Sequence, residues 1–400
     1  MDPIRNPYAP GAGQRPPELA GRDRELKQFE VALERVAAGR PDRSMVLSGL
    51  RGVGKTVLLN ALRSLAIKRA WGTGKVEARP DQSLRLPLAQ AVHAAIREVS
   101  HRHRDPDRVD EVTGVLKAFA LRTELKDRKA GARQNRWQPP VDVVATTGRA
   151  DSGDLELDLI ELFTDVATLA GDLGVGVALF IDEMQDIPAP GLGALCGACH
   201  ELSQQGAPLI VVGAGLPHLP VALAASRSYA ERLFRHVSVD RLPREMAERA
   251  WTLPARSEDV TFERDALDEL YRLTDGYPYF VQAYGKVTWD VAVHTPIRAE
   301  DVQAAAPDAE SELAVGFFGA RYDRATPAER DYMATIADLG EGTDDRAAST
   351  ADIAKLLARK PQSLSPARDG LIKKGLVFSA ERGTVAFTVP HFGKFLRSQR

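Results

Sequence analysis

Apolar and polar positions along the chain change their period several times, and each change predicts an element. Leu26, Phe29, Val31, Leu33 and Val36 fall at helical spacing through about Ala38, after an opening Leu19-Ala20-Gly21-Arg22-Asp23-Arg24-Glu25-Leu26. Short runs of strand formers stand at about 44–48, 76–79, 175–183, 209–212 and 237–239. Helical patterns lie between them, to about Ala70, over about 83–99, over about 155–173 and over 186–204. Nearly continuous apolar strands alternating with helices predict an α/β fold with a parallel sheet covered on both faces. From Arg244 to about Asp308 the pattern is helical throughout.

The last part of the chain reads differently. A helix is predicted over Pro327 to Leu339, a second from Thr350 to Leu357 capped by Ser349 or Thr350, and a third from Pro361 to Lys374 ended by Gly375. Leu376–Phe378 and Val385–Thr388, joined through Glu381-Arg382-Gly383, read as a β-hairpin. Three helices and a hairpin make a winged helix-turn-helix. The predicted division is a flexible Pro/Gly-rich arm (1–18), a core (19–242) interrupted by an insertion at about 100–153, a helical lid (243–320) and the winged helix (321–400).

Composition narrows the class. With 400 residues, two or three domains are expected. A chain that is 44% hydrophobic and 27% charged is of the soluble globular type, and a net charge of −2 argues against a wholly basic nucleic-acid coat. No apolar run approaches the roughly 18 residues that span a bilayer, and Met1–Pro17 lacks the apolar stretch of a secretory signal. A cytoplasmic location and no membrane partner are expected. The insertion is locally basic: between Arg122 and Arg136, six basic residues (122, 126, 128, 129, 133, 136) face two acids (124, 127). It is either a solvated loop or a nucleic-acid or partner contact, with Trp137 as a stacking group. Cys196-Gly197-Ala198-Cys199-His200 matches a haem-attachment or redox pattern, yet it sits in a helical pattern with Leu192, Leu195 and Leu202, where buried structural cysteine is the better reading.

The chemistry concentrates at two strand ends. Strand 44–48 leads into Gly49-Leu50-Arg51-Gly52-Val53-Gly54-Lys55-Thr56, and a helix beginning Val57-Leu58-Leu59 follows. This strand, glycine loop and helix are the context of a Walker A phosphate loop. Its glycines let backbone N–H groups surround phosphate oxygens, Lys55 reaches the β/γ-phosphates, and the Thr56 hydroxyl ligates Mg²⁺. The run ending Ile181-Asp182-Glu183 supplies the partner motif, with Asp182 for phosphate-bound Mg²⁺ and Glu183 to deprotonate the attacking water. Mg-ATP binding and hydrolysis to ADP and phosphate are expected, slow unless an arginine completes the site.

In their order these signals resemble an AAA+ ATPase, most similar to the origin-recognition-like and archaeal-type branch that borders on the STAND signalling ATPases. The matching stretches are Gly21–Leu26, Gly49–Thr56, Ile181–Glu183, Val212–Pro217 and Gly276–Phe280, with the winged helix extending the match. The resemblance implies that the box containing Arg22 approaches the adenine, that Pro278 lies near base and phosphates, that His391 after the wing reads the diphosphate, and that Arg232 is an arginine finger, with Arg227 and Arg235 as rivals. Two departures stand out: Gly213-Ala214-Gly215 lacks a polar sensor residue, and no second-sensor arginine stands beside Gly276–Phe280. Both suit a slow nucleotide switch better than a fast motor. Lys360, Arg368, Lys373, Lys374 and Arg382 are candidate phosphate contacts on double-stranded DNA, with Gln362, Ser363 and Ser365 near base edges, diluted by Asp369 and Glu381. A protein partner or self-association is the other expected use. A DNA-associated loader or transposition helper, and a non-hydrolysing ADP/ATP-gated interaction protein, are the rival functions.

Overall fold

The computed structural model describes residues 1–11, 13–80, 82–122, 143–340, 347–379 and 381–399. Five strands, β1 (Ser44–Ser48), β2 (Gly72–Glu77), β3 (Val177–Asp182), β4 (Leu209–Gly215) and β5 (Phe234–Ser238), lie in the order β2-β3-β4-β1-β5 with every pairing parallel. This is the expected AAA+ order: the phosphate-loop strand β1 is one strand removed from β3, which carries the carboxylates. Alternation along each strand sends Met45, Leu47, Phe180 and Val212 to one face and Val46, Leu179, Ile181 and Val211 to the other. The first face packs on α1 (Asp23–Ala37) and α2 (Lys55–Lys68). The second packs on α3 (Arg85–Ser100), α4 (Pro106–Leu121), α5 (Leu155–Gly171), α6 (Ala189–Gln205), α7 (Leu219–Ser226) and α8 (Ala230–Leu233).

β2 begins earlier than its hydrophobicity suggests, because Gly72 and Gly74 belong to it. A Cβ on Gly74 would stand 2.2 Å from the Ala91 carbonyl, so the missing side chain admits α3 onto the strand. The insertion is partly core. Its helix α4 buries Val112, Val115, Leu116 and Phe119, and the stretch is anchored by a buried pair in which Arg85 donates to Asp158 at 2.6 Å beneath the Phe119 ring. The basic run after Arg122, and Trp137, lie outside the described residues.

Helices α9 (Arg244–Arg256), α10 (Arg264–Thr274), α11 (Pro278–Val291) and α12 (Ala299–Leu313) form the lid, continued by a π-helical turn (Ala314–Gly319) and the short α13 (Ala320–Tyr322). The C-terminal unit contains α14 (Pro327–Leu339), α15 (Thr350–Leu356), α16 (Pro361–Lys373) and α17 (Phe392–Ser398), with a three-stranded antiparallel sheet of β6 (Ala348–Ser349), β8 (Thr384–Phe387) and β7 (Val377–Phe378). The Ser349 hydroxyl caps α15 by accepting from the Ala351 and Asp352 amides. One apolar cluster runs without a break from β1 through Trp251, Tyr277 and Phe280 of the lid into Tyr332, Leu371 and Phe392 of the C-terminal unit.

The arm differs from expectation. Rather than hanging free, it lies along the lid: Asn6 donates to the Lys286 carbonyl at 2.9 Å, and the Tyr8 hydroxyl, on a side chain only 4% exposed, donates to the Trp251 carbonyl at 2.7 Å. Its Pro and Gly residues shape a path over the surface of α11 instead of conferring freedom.

Candidate nucleotide site

The loop after β1 is built by backbone constraints that only glycine meets. Gly54 takes φ +90 with open space where a Cβ would point, so its requirement is conformational. Gly49 is required for a different reason: a Cβ there would stand 2.1 Å from the Val239 carbonyl. The loop ends where α2 begins, with the helix N-terminus facing the cleft. The Lys55 side chain is buried, and Nζ donates to the carbonyls of Gly49 at 2.9 Å and Leu50 at 2.7 Å. Burial pushes its ammonium down to about 8, against the attraction of Glu183 and Asp182.

A cavity of about 590 Å³ opens over this loop at the carboxyl ends of the strands. Of the loop positions expected to cradle phosphate, Arg51, Gly52, Val53, Gly54, Lys55, Thr56 and Val57 line it, while Gly49 and Leu50 stand behind and present carbonyls to Lys55. Asp182, Glu183, Arg22 and Pro278 line the same cavity. Arg22 is held in place by the carbonyls of Val53 at 3.3 Å and Asp240 at 2.7 Å, and burial lowers its pKa. Asp182 is buried, and one of its carboxylate oxygens accepts from the Glu183 amide at 3.0 Å. Glu183 itself takes a left-handed backbone (φ +49), which costs a non-glycine residue about 1 kcal/mol.

Three groups at the site, Gln185, Arg321 and the arm, escape a reading of motifs, and the loop residue Arg51 has a partner that the motif does not predict. Arg51 donates to Glu183 Oε1 at 2.9 Å, and Gln185 Nε2 donates to Glu183 Oε2 at 2.7 Å, so both carboxylate oxygens are engaged. Arg321 brings a guanidinium into the cavity from beyond the π-helical turn, stacked over Phe317 at 4.3 Å. The arm contributes Ala9, Pro10, Gly11, Gly13 and Gln14 to the wall. Only the arm carried a composition signal, and its Pro/Gly content pointed toward disorder.

Other expected residues lie elsewhere. Arg232 is exposed on α8, next to the start of β5, where Phe234 pairs with Ser44. That is the end of β1 opposite Ser48, about 13 Å away along the strand. Arg227 pairs with Glu156, and Arg235 lies 3.4 Å from Asp42, so none of the three enters this chain's own cleft. His391 is also outside it. At φ +58 its ring lies 5.3 Å from that of Phe280 and lines a separate cavity of about 290 Å³ between lid and C-terminal unit. Cys196 and Cys199 are buried on α6 and burial pushes both thiols up, as expected of packed structural cysteines. Among the described residues no helix is long and apolar enough to cross a membrane.

The donor set fits a nucleotide polyphosphate with a divalent cation: a glycine-shaped cradle, a buried lysine that donates to loop carbonyls, a hydroxyl at the helix start and a buried carboxylate lining the same cavity. The buried Tyr277 hydroxyl, packed where a Cβ on Gly52 would stand 3.0 Å away, has no hydrogen-bond partner among the described residues.

Residues 18–212 match the family model described as an AAA ATPase domain, and residues 315–396 match a domain of unknown function. No curated protein matches the chain. Among solved structures it is similar to the Thermotoga maritima RuvB Holliday junction branch migration motor, at 16% identity and TM-score 0.45, covering 94% of this chain and 96% of that one. It is also similar to the Aeropyrum pernix Orc1 protein in complex with DNA (15% identity, TM-score 0.44, 96% and 94% covered) and to Cdc6p from Pyrobaculum aerophilum (13%, 0.41, 100% and 99%). These likenesses are distant, and no feature of the site rests on them.

Proposed function

We propose that this chain is a slow Mg-ATPase that works as a nucleotide-dependent switch. The observation that carries this reading is the meeting, in one cavity, of Lys55 and Thr56 with Asp182 and Glu183. In this reading the loop amides and Lys55 bind the β- and γ-phosphates, and Thr56 and Asp182 hold the cation. Mg²⁺, when bound, would neutralise phosphate charge. Glu183 orients the attacking water and takes its proton. Arg22, Pro278 and the arm residues enclose the base and ribose end.

Slow turnover follows from two features. Glu183 Oε1 is held by the Arg51 guanidinium, and Arg227, Arg232 and Arg235 all lie away from the cleft. Arg232 serves as a finger only toward a neighbouring subunit's site. Switching follows from the walls: core, arm and lid each contribute, so ATP and ADP favour different lid positions to the extent that they contact it differently.

The C-terminal unit is, in this proposal, a winged helix that reports the nucleotide state to DNA or to a protein partner. Lys360, Lys373 and Arg382 are exposed on α16 and the hairpin turn. Lys374 and Arg368 are engaged locally, with Glu329 at 2.5 Å and Asp369 at 3.0 Å, and so drop out as free phosphate contacts. A second reading, a non-hydrolysing nucleotide-gated interaction protein, draws support from the engaged Glu183. The two part on ATPase rates with and without duplex DNA for the parent, Lys55→Ala and Glu183→Gln. Turnover abolished in both variants supports the ATPase; purification with tightly held ADP and no turnover in the parent supports the second reading.

A further inference from the structure

We propose that Arg51 is a latch by which docking of the C-terminal unit restrains Glu183. Three parts of the fold meet at this one residue. Its Nη1 donates to Glu183 Oε1 at 2.9 Å, its Nε donates to the Gly375 carbonyl at 3.1 Å, and its backbone amide donates to the Thr388 carbonyl at 2.9 Å. Gly375 closes α16 and Thr388 follows β8, so both acceptors belong to the C-terminal unit and neither lies in the nucleotide cavity. The Thr388 hydroxyl also donates to the Gly375 carbonyl at 2.6 Å, which fixes the two acceptors as one rigid platform.

The glycine at 375 is fitted to this contact. It takes φ +62, and a Cβ there would stand 2.4 Å from Arg51 Nη2, so the guanidinium occupies the room that a side chain would need. A guanidinium bound to a carboxylate fixes its direction, so Glu183 Oε1 stays turned toward Arg51 and away from an attacking water. While the C-terminal unit is docked, Gly375 holds Arg51 against Glu183. When a partner draws that unit away, Arg51 loses both carbonyl contacts and the carboxylate is free to turn to the water. Arg51 is therefore a positioning residue, acting through Glu183. The effect on turnover rests on the reading of Glu183 as the base; the docking contact itself does not.

The test uses the full-length protein, with Arg51→Gln, which removes the charge at the loop, and Gly375→Ala, which displaces the guanidinium from the far side. Amide hydrogen exchange is followed without nucleotide over 49–53 and 371–389, alongside kcat and nucleotide Kd. Both variants are expected to exchange at least fivefold faster in these segments and to raise kcat at least fivefold, and Gly375→Ala, which lies outside the cavity, to keep Kd within twofold of the parent. A residue that merely braced the loop would lower kcat or weaken binding instead. Exchange unchanged in Arg51→Gln overturns the latch, as does a kcat that stays level or falls while Kd holds. Faster exchange in a protein that never hydrolyses ATP supports the docking contact and overturns the role of Glu183 as base. Should Gly375→Ala fail to fold, Arg51→Gln decides alone.

Discussion

Gly215 has no side chain where Gln185 needs room: a Cβ there would stand 2.6 Å from Gln185 Oε1. That oxygen accepts from the Leu216 amide at 3.1 Å, while Nε2 donates to Glu183. The end of β4, which lacks a polar residue of its own, thus receives one from the turn after β3. Gln185→Ala and Gly215→Ala, which evicts the amide, are each expected to lower kcat about tenfold, or about 1.4 kcal/mol, with nucleotide Kd unchanged. Steady-state ATPase assays check this; parent-like turnover in both would remove Gln185 from the account.

Lys55 makes nucleotide binding depend on pH. Its folded-state pKa of about 8 lies below the ordinary lysine value, so between these two values the unfolded chain binds more protons than the folded one. Stability without nucleotide should therefore rise with pH through that window, and the cost of the buried charge is fully present below it. Phosphate charge raises the pKa again, so binding should take up protons near pH 8.5 and little at pH 6.5. Calorimetry in buffers of different ionisation heat measures this uptake, which should vanish in Lys55→Met.

The Arg85–Asp158 pair ties α3 to the start of α5. Asp158 is buried, which raises its pKa, yet hydrogen bonds from Ser152 and Arg85 outweigh burial and leave the carboxyl below its usual range. Arg85→Met leaves that charge uncompensated and should cost about 3–5 kcal/mol in urea unfolding. By the same sign argument, the stability that the pair contributes is present above the ordinary aspartate pKa and is lost as pH falls through the depressed one. A loss under about 1 kcal/mol would show that α4 and α5 do not need the pair.

Tyr8 pins the arm to the lid, and residues a few positions on line the cleft. Tyr8→Ala is expected to speed amide exchange over 1–14 and to raise nucleotide Kd about tenfold, about 1.4 kcal/mol. Unchanged Kd with a released arm would confine the arm to a structural role.

The sheet, the loop and the Asp182–Glu183 pair were legible because each is local: a strand-loop-helix signal depends on residues adjacent in sequence. The start of β2 is not legible, because Gly72 and Gly74 serve packing by α3, which leaves no hydrophobic trace. The ordered arm leaves no trace in the sequence, because Pro and Gly report backbone preference and not what the backbone lies against. Gln185 and Arg321 reach the site through side-chain directions and a π-helical turn, and no spacing rule encodes those; the loop motif places Arg51 but not its bond to Glu183. His391 was placed by resemblance, and the packing of its ring on Phe280 turns it to the other side of α11.

The most direct measurement compares Glu183→Gln with the parent for both Mg-ATP affinity and single-turnover hydrolysis. A base at the tip of β3 predicts affinity within a few fold of the parent and hydrolysis reduced at least a hundredfold, about 2.7 kcal/mol or more in the barrier. Hydrolysis at the parent rate with intact binding would contradict it.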